Sequence, residues 1–126
     1  MASVAAAFSG ALVAALLACA AAAAAPRNAP ARGEVDYVTY CAPCHGMQGD
    51  GNGPLARLLV PRPARHTDPA FMNALSDDYL FRLLKDGGPA LGKSSLMSAW
   101  GATLSEQRIV DLVAYLRSLA RHSDRL

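Results

Sequence analysis

The feature that most constrains this chain is the run Cys41-Ala42-Pro43-Cys44-His45. Two thiols at this spacing, followed at once by an imidazole, match one flat macrocycle. The sulfurs add across two vinyl groups on one porphyrin edge, and the next residue comes to lie under the iron. A chain committed to that reaction wraps a large apolar plate instead of building its core from side chains alone. On this reading Cys41 and Cys44 attach one haem c covalently and His45 is its proximal ligand. Three other readings of the same residues are open at this point. A thioredoxin-like redox pair needs a βαβ setting, and no alternating strand pattern is visible. Half of a zinc site needs a second Cys pair, and the third cysteine of the chain is Cys19. A chance match of the short motif is the last.

Size favours the cofactor. The 126 residues are enough for one domain. The hydrophobic fraction of 52% overstates the core, because Ala supplies more than half of residues 1–25 and no charged side chain precedes Arg27. Residues 1–24 read as a signal peptide for export to the periplasm, cleaved after Ala24 with Ala22 and Ala24 as the small residues, although a basic n-region is missing. Retention as an N-terminal anchor and lipidation at Cys19 in Leu16-Leu17-Ala18-Cys19 are the alternatives. Contact with a membrane is expected only through such an N-terminus. Residues 25–32 read as a linker, 33–120 as the domain and 121–126 as a frayed tail. A domain of roughly 90 residues is marginal unless something adds to its core. Twelve basic against 10 acidic residues give a net charge of +2, and their scatter excludes a nucleic-acid surface. No glycine-rich phosphate loop and no Ser/His/Asp order is present.

The pattern is all-α. Glu34 to Tyr40 forms a short helix running into Cys41, with Val35 and Val38 on one face and Tyr37 and Cys41 on another. Gly46 to Pro69 holds four glycines and four prolines and no period. A run of that length is at home in a compact domain when it wraps a cofactor. Ser76 caps a second helix, Asp77 and Asp78 suit its positive end, and Gly87-Gly88-Pro89 stops it. Ser105 caps a third, whose stripe is Ile109, Leu112, Val113, Leu116 and Leu119. The expectation is three main helices, with long loops wrapped around one covalent haem.

The sixth iron position falls to Met97, in a Gly/Ser loop before the last helix. A thioether favours ferrous iron and raises the potential. Met47 is too close to His45 to reach the other side. Met72 reads as packing, His66 as an exposed histidine and secondary ligand alternative, and His122 as a solvated tail residue.

With these residues in place the sequence resembles class I mono-haem cytochromes c of the bacterial, periplasmic type, over about Gly33 to Leu119. Gly33 and Tyr37 stand where that family places a small residue and an aromatic, packing on an aromatic of the last helix, here Tyr115. The resemblance implies that Pro54, after Gly46-Met-Gln-Gly-Asp-Gly-Asn-Gly, offers its carbonyl to the second nitrogen of His45. It implies that Gly92 to Gly101 is the distal loop, with Trp100 against the haem edge or a propionate. Ser98 follows Met97 where many members have proline, which implies a less stiff loop. Arg62, Arg65 and Lys93 are implied partners of the propionates. The implied function is outer-sphere electron transfer, not enzymatic turnover, with a membrane oxidase, reductase or dehydrogenase as redox partner. Two rivals are a haem-bearing subunit tethered to such a complex and a peroxidase-like or gas-binding haem with an open sixth position.

Overall fold

A computed structural model describes the backbone of residues 29–123, with side chains through Arg121. The expected export segment, Cys19, the His122 side chain and residues 124–126 lie outside what is described. Every regular element among the described residues is helical. Helix α1, Ala29–Asp36, passes into a π-helical turn, Tyr37–Cys41, and then into α2, Ala42–His45. Two short helices follow, α3 (Pro69–Asn73) and α4 (Asp77–Asp86), and α5 (Glu106–Ser123) closes the domain. Single 3₁₀ turns stand at Ala56–Leu58 and Pro89–Leu91.

The first helix begins earlier than the sequence led us to expect. Residues 29–32, read as linker, are already helical. Their reason is Arg32, which reaches across to α5 and grips the buried Asp111 with both arms, at 2.6 and 2.8 Å. The Val35–Val38 face is solvent-exposed, whereas Tyr37 and Cys41 are buried. The π turn supports that choice: the Ala42 N–H bonds back to the Tyr37 carbonyl, and the Thr39 hydroxyl donates to the Val35 carbonyl at 2.9 Å. The last helix likewise runs on through residues 121–123, where a frayed tail was expected.

The caps are as read. Ser76 Oγ accepts from the Tyr79 N–H at 3.1 Å, and Ser105 Oγ from the Arg108 N–H at 3.4 Å. Asp68 does the same for α3, accepting from Phe71 at 3.1 Å. The α3–α4 corner is tied to α5 by Arg117, which donates to the carbonyls of Met72 and Leu75 at 2.5 Å and to Asp77 at 2.8 Å. An arginine that lay off the apolar stripe is therefore a structural clasp.

Helices α1 and α5 cross at Gly33. A β-carbon there would overlap the Asp111 carbonyl and approach the Leu112 nitrogen to 2.9 Å. Two reciprocal ion pairs flank the contact: Arg32 of α1 on Asp111 of α5, and Arg108 of α5 on Asp36 of α1. Both carboxylates are buried, at 3% and 5% exposure, so each needs its guanidinium. Just beyond the crossing, Tyr37 packs on Tyr115 with ring centroids 5.1 Å apart. Tyr37, Met72, Ile109 and Leu112 are the largest fully buried side chains.

Gly33→Ala should separate the helices and cost about 1–3 kcal/mol by overpacking, read as a lower thermal midpoint. Arg32 holds the Asp111 carboxyl below its ordinary range, chiefly by hydrogen bonding and against the opposing effect of desolvation. Its folded value then lies below the unfolded one. The stability it adds is complete above the unfolded carboxylate value of about 3.9 and is lost as pH falls through the folded value. Asp111→Asn should therefore lower stability at neutral pH and flatten the acid limb of a stability-versus-pH curve, measured by denaturant titration.

Candidate haem-binding cleft

A cleft of about 300 Å³ opens between α2, α4 and the loops. Its walls include Cys41, Cys44 and His45 from the α1–α2 run, Tyr79, Leu80, Leu83 and Leu84 from α4, and Met97 and Trp100 from the loop before α5. The lining is apolar apart from a few groups at fixed places.

The helix carrying the motif ends at Gly46, whose φ of 83° is open to glycine and costly for other residues. The chain then doubles back and caps the helix it has just left. Gly51 N–H bonds to His45 O at 2.8 Å, Gly53 to Cys44 O at 3.2 Å and Leu55 to Pro43 O at 2.9 Å. These are the carbonyls a helix end leaves without partners. The glycine-rich run that had no period in the sequence is thus ordered by main-chain hydrogen bonds. Pro54 lies on this return, exposed, and its carbonyl is not the one that meets His45. That role falls to Ala64, whose carbonyl lies 3.0 Å from His45 Nδ1. The loop spends residues 51–55 on the helix carbonyls, so the chain reaches the imidazole only after the Pro61–Pro63 stretch. The expected bond exists, with a different residue supplying the accepting carbonyl.

A carbonyl only accepts, so Nδ1 carries the proton and Nε2 keeps its lone pair for a metal. Burial pushes the His45 pKa down, partly offset by the Ala64 bond, which favours the neutral, ligating form. Burial also raises the Cys41 thiol to about 12, helped by the charges of Asp36 and Cys44. A buried thiol with a raised pKa is a weak nucleophile for thiol–disulfide exchange. Among the described residues no cluster of three or more His, Cys, Asp or Glu side chains could hold a metal ion by itself. Two thiols, a neutral imidazole with a free Nε2 and an apolar cleft that all three border fit a covalently attached haem.

His66, read as an exposed residue and an alternative distal ligand, is buried at 9% exposure. Its ring stacks on His45 with centroids 4.3 Å apart and planes within 19°, too close for a macrocycle to lie between them. Desolvation takes its pKa down to about 3. The sequence offered no sign of this, because the loop's Pro and Arg neighbours looked solvated.

Met97 is half-buried on the cleft wall. Its carbonyl accepts from the Gly88 N–H at 2.9 Å and its N–H donates to Ser94 O at 3.1 Å. Trp100 and Gly101 N–H groups bond to the last carbonyls of α4, Leu84 and Lys85, at 2.9 and 3.0 Å. The loop expected to be slack at Ser98 is pinned on both sides of it. Met72 also borders the cleft but is fully buried in the core. Trp100 packs on Tyr40 with centroids 5.0 Å apart. Arg62 and Lys93 reach the cleft wall; Arg65 does not, and its stem lies beside Gly51.

The chain is similar to known proteins. The family model described as cytochrome C oxidase, cbb3-type, subunit III matches residues 28–116. Cytochrome c-554(547) of Halothiobacillus neapolitanus is 35% identical over 91 residues, covering 71% of this chain and 94% of the relative. A chain of the Kuenenia stuttgartiensis reducing HAO-like protein complex is 30% identical with a TM-score of 0.56, over 70% of this chain and 41% of that one. Cytochrome CL of the methylotroph Methylophaga aminisulfidivorans shares the fold, with 24% identity and a TM-score of 0.54 over 78% of this chain and 60% of its own. The chain thus spans less than two thirds of each of these two structural neighbours. A family match over most of the chain, near-complete alignment with a curated cytochrome c and a common helical fold place this protein in the cytochrome c family, as a mono-haem class I domain of the cbb3-type kind with covalently bound haem c.

Proposed function

We propose that this protein is a periplasmic one-electron carrier whose haem iron is ligated axially by His45 and Met97. The observation that carries this reading is convergence: the thiols of Cys41 and Cys44, the Nε2-free imidazole of His45 and the pinned Met97 border one apolar cleft. When bound, haem would supply a one-electron couple, held by Cys41, Cys44, His45 and Met97. The chain does the rest. Ala64 holds the His45 proton at Nδ1 and so keeps Nε2 a donor toward the metal. Leu80, Leu83 and Leu84 exclude water, which disfavours the extra positive charge of ferric iron. Gly88 and Ser94 hold Met97 in place. Arg62 and Lys93 are placed to pair with propionates at the cleft wall.

The partner is a redox protein of respiratory type, an oxidase, reductase or dehydrogenase. Leu58 and Val60, 78% and 87% exposed, stand on the loop that supplies Leu59 and Pro61 to the cleft. A second reading, a subunit held within a larger oxidase or dehydrogenase, draws support from the description of the matching family as an oxidase subunit. Isolation from native membranes separates the two: a stable stoichiometric complex favours the subunit, release at moderate salt the shuttle.

Met97→Ala should abolish the weak sulfur-to-iron charge-transfer band at the red end of the ferric spectrum, lower the potential and open the ferrous form to carbon monoxide. Met72→Ala should keep the band while losing about 2–5 kcal/mol of stability. The reverse pattern would transfer the ligand role to Met72. A β-carbon on Gly88 would overlap the Ser94 carbonyl and sit 3.0 Å from the Met97 Cβ. Gly88→Ala should therefore weaken the same band in protein that still carries a full complement of covalent haem.

A further inference from the structure

The Tyr37 hydroxyl is buried, and so is every atom it engages. It donates to the Gly46 carbonyl at 2.9 Å and lies 3.2 Å from His66 Nδ1. A hydroxyl has one proton to give. With that proton on Gly46, its lone pair receives the N–H of His66 Nδ1. The His66 backbone is fixed as well, its N–H on the Gly49 carbonyl at 2.7 Å. The Tyr37 ring meets it nearly edge-on, with centroids 5.7 Å apart and planes at 70°. The free face of this immobilised imidazole lies against His45, 4.3 Å away and 19° from parallel.

A phenylalanine would fill the space of either residue without burying polar atoms. A hydroxyl and an imidazole there carry a desolvation cost. What they add is direction: each link fixes the orientation of the next ring, and the last link is the proximal ligand. The Ala64 carbonyl alone fixes one atom of the His45 ring and tolerates a broad range of tilt. A flat, immobile partner across the whole face removes that freedom.

We propose that His66 is a positioning residue for the haem: gripped by the Tyr37 hydroxyl and laid on the His45 imidazole, it sets the plane in which that ring meets the iron. The inference rests on His45 being the proximal ligand and goes beyond that assignment. The plane of an axial imidazole splits the iron d orbitals of the ferric low-spin state. It therefore appears in the rhombicity of the electron paramagnetic resonance g values and in the spread of the hyperfine-shifted haem methyl proton resonances. Neither readout depends on turnover.

The test uses the full haem-loaded protein in its ferric form. Tyr37→Phe removes only the hydroxyl, and His66→Phe keeps a flat ring but breaks the chain. Each should shift the g values and the methyl pattern, and the double variant should shift them no further than His66→Phe alone, as expected for residues acting in series. Tyr115→Phe perturbs the same aromatic cluster outside the chain and should lower the thermal midpoint with the spectra unchanged. The proposal is overturned if Tyr37→Phe and His66→Phe only lower stability and leave both spectra at wild-type values, or if their spectral shifts simply add. Purified wild-type protein lacking covalent haem would instead refute the haem reading itself, so the two failures are distinguishable.

Discussion

The crossing of α1 over α5 at Gly33 is the contact on which the remaining geometry depends. It brings main chain against main chain, and two opposed Arg–Asp pairs prevent it from sliding or rotating. The π turn begins at once after it. Tyr37 is thereby driven into the core and Cys41 toward the cleft, so the position of the thiols is indexed to α5 through only a few residues. A shift at the crossing would be passed directly to His45.

The loops are organised by a second rule, the satisfaction of helix ends. Residues 51–55 return over the carbonyls that close α2, and residues 100–101 do the same for α4. Each return delivers one wall of the cleft. The first sends the chain on to Ala64 and His66; the second sets Trp100 and, a few residues before it, Met97. Long segments without secondary structure are therefore as specified as the helices, through main-chain groups instead of side-chain packing.

This division explains what could be read from the sequence. Side-chain signals were legible: the spacing of Cys41, Cys44 and His45, the Ser76 and Ser105 caps, the α5 stripe, and the Gly33–Tyr37–Tyr115 set. Main-chain roles were not. The carbonyl facing His45 belongs to Ala64 and not Pro54, and no side-chain type marks such a carbonyl. Long-range polar pairs were also hidden. Arg32 fell in the stretch read as linker and Arg117 lay off the apolar stripe, and only the approach of distant helices reveals their partners. His66 was misread for the opposite reason, since its neighbours are polar while its own ring is buried. The length of α1 was underestimated because a tertiary contact, Arg32 on Asp111, holds residues that carry no local helix signal.

Cys41 closes the π turn at 5% exposure and also lines the cleft. One residue thus belongs both to the packed interior and to the cofactor site. A plate fastened to it would be an extension of that interior, and pulling it away would uncover apolar surface that the helices have no other means to shield. Loss of pigment and loss of structure are therefore a single event for this domain.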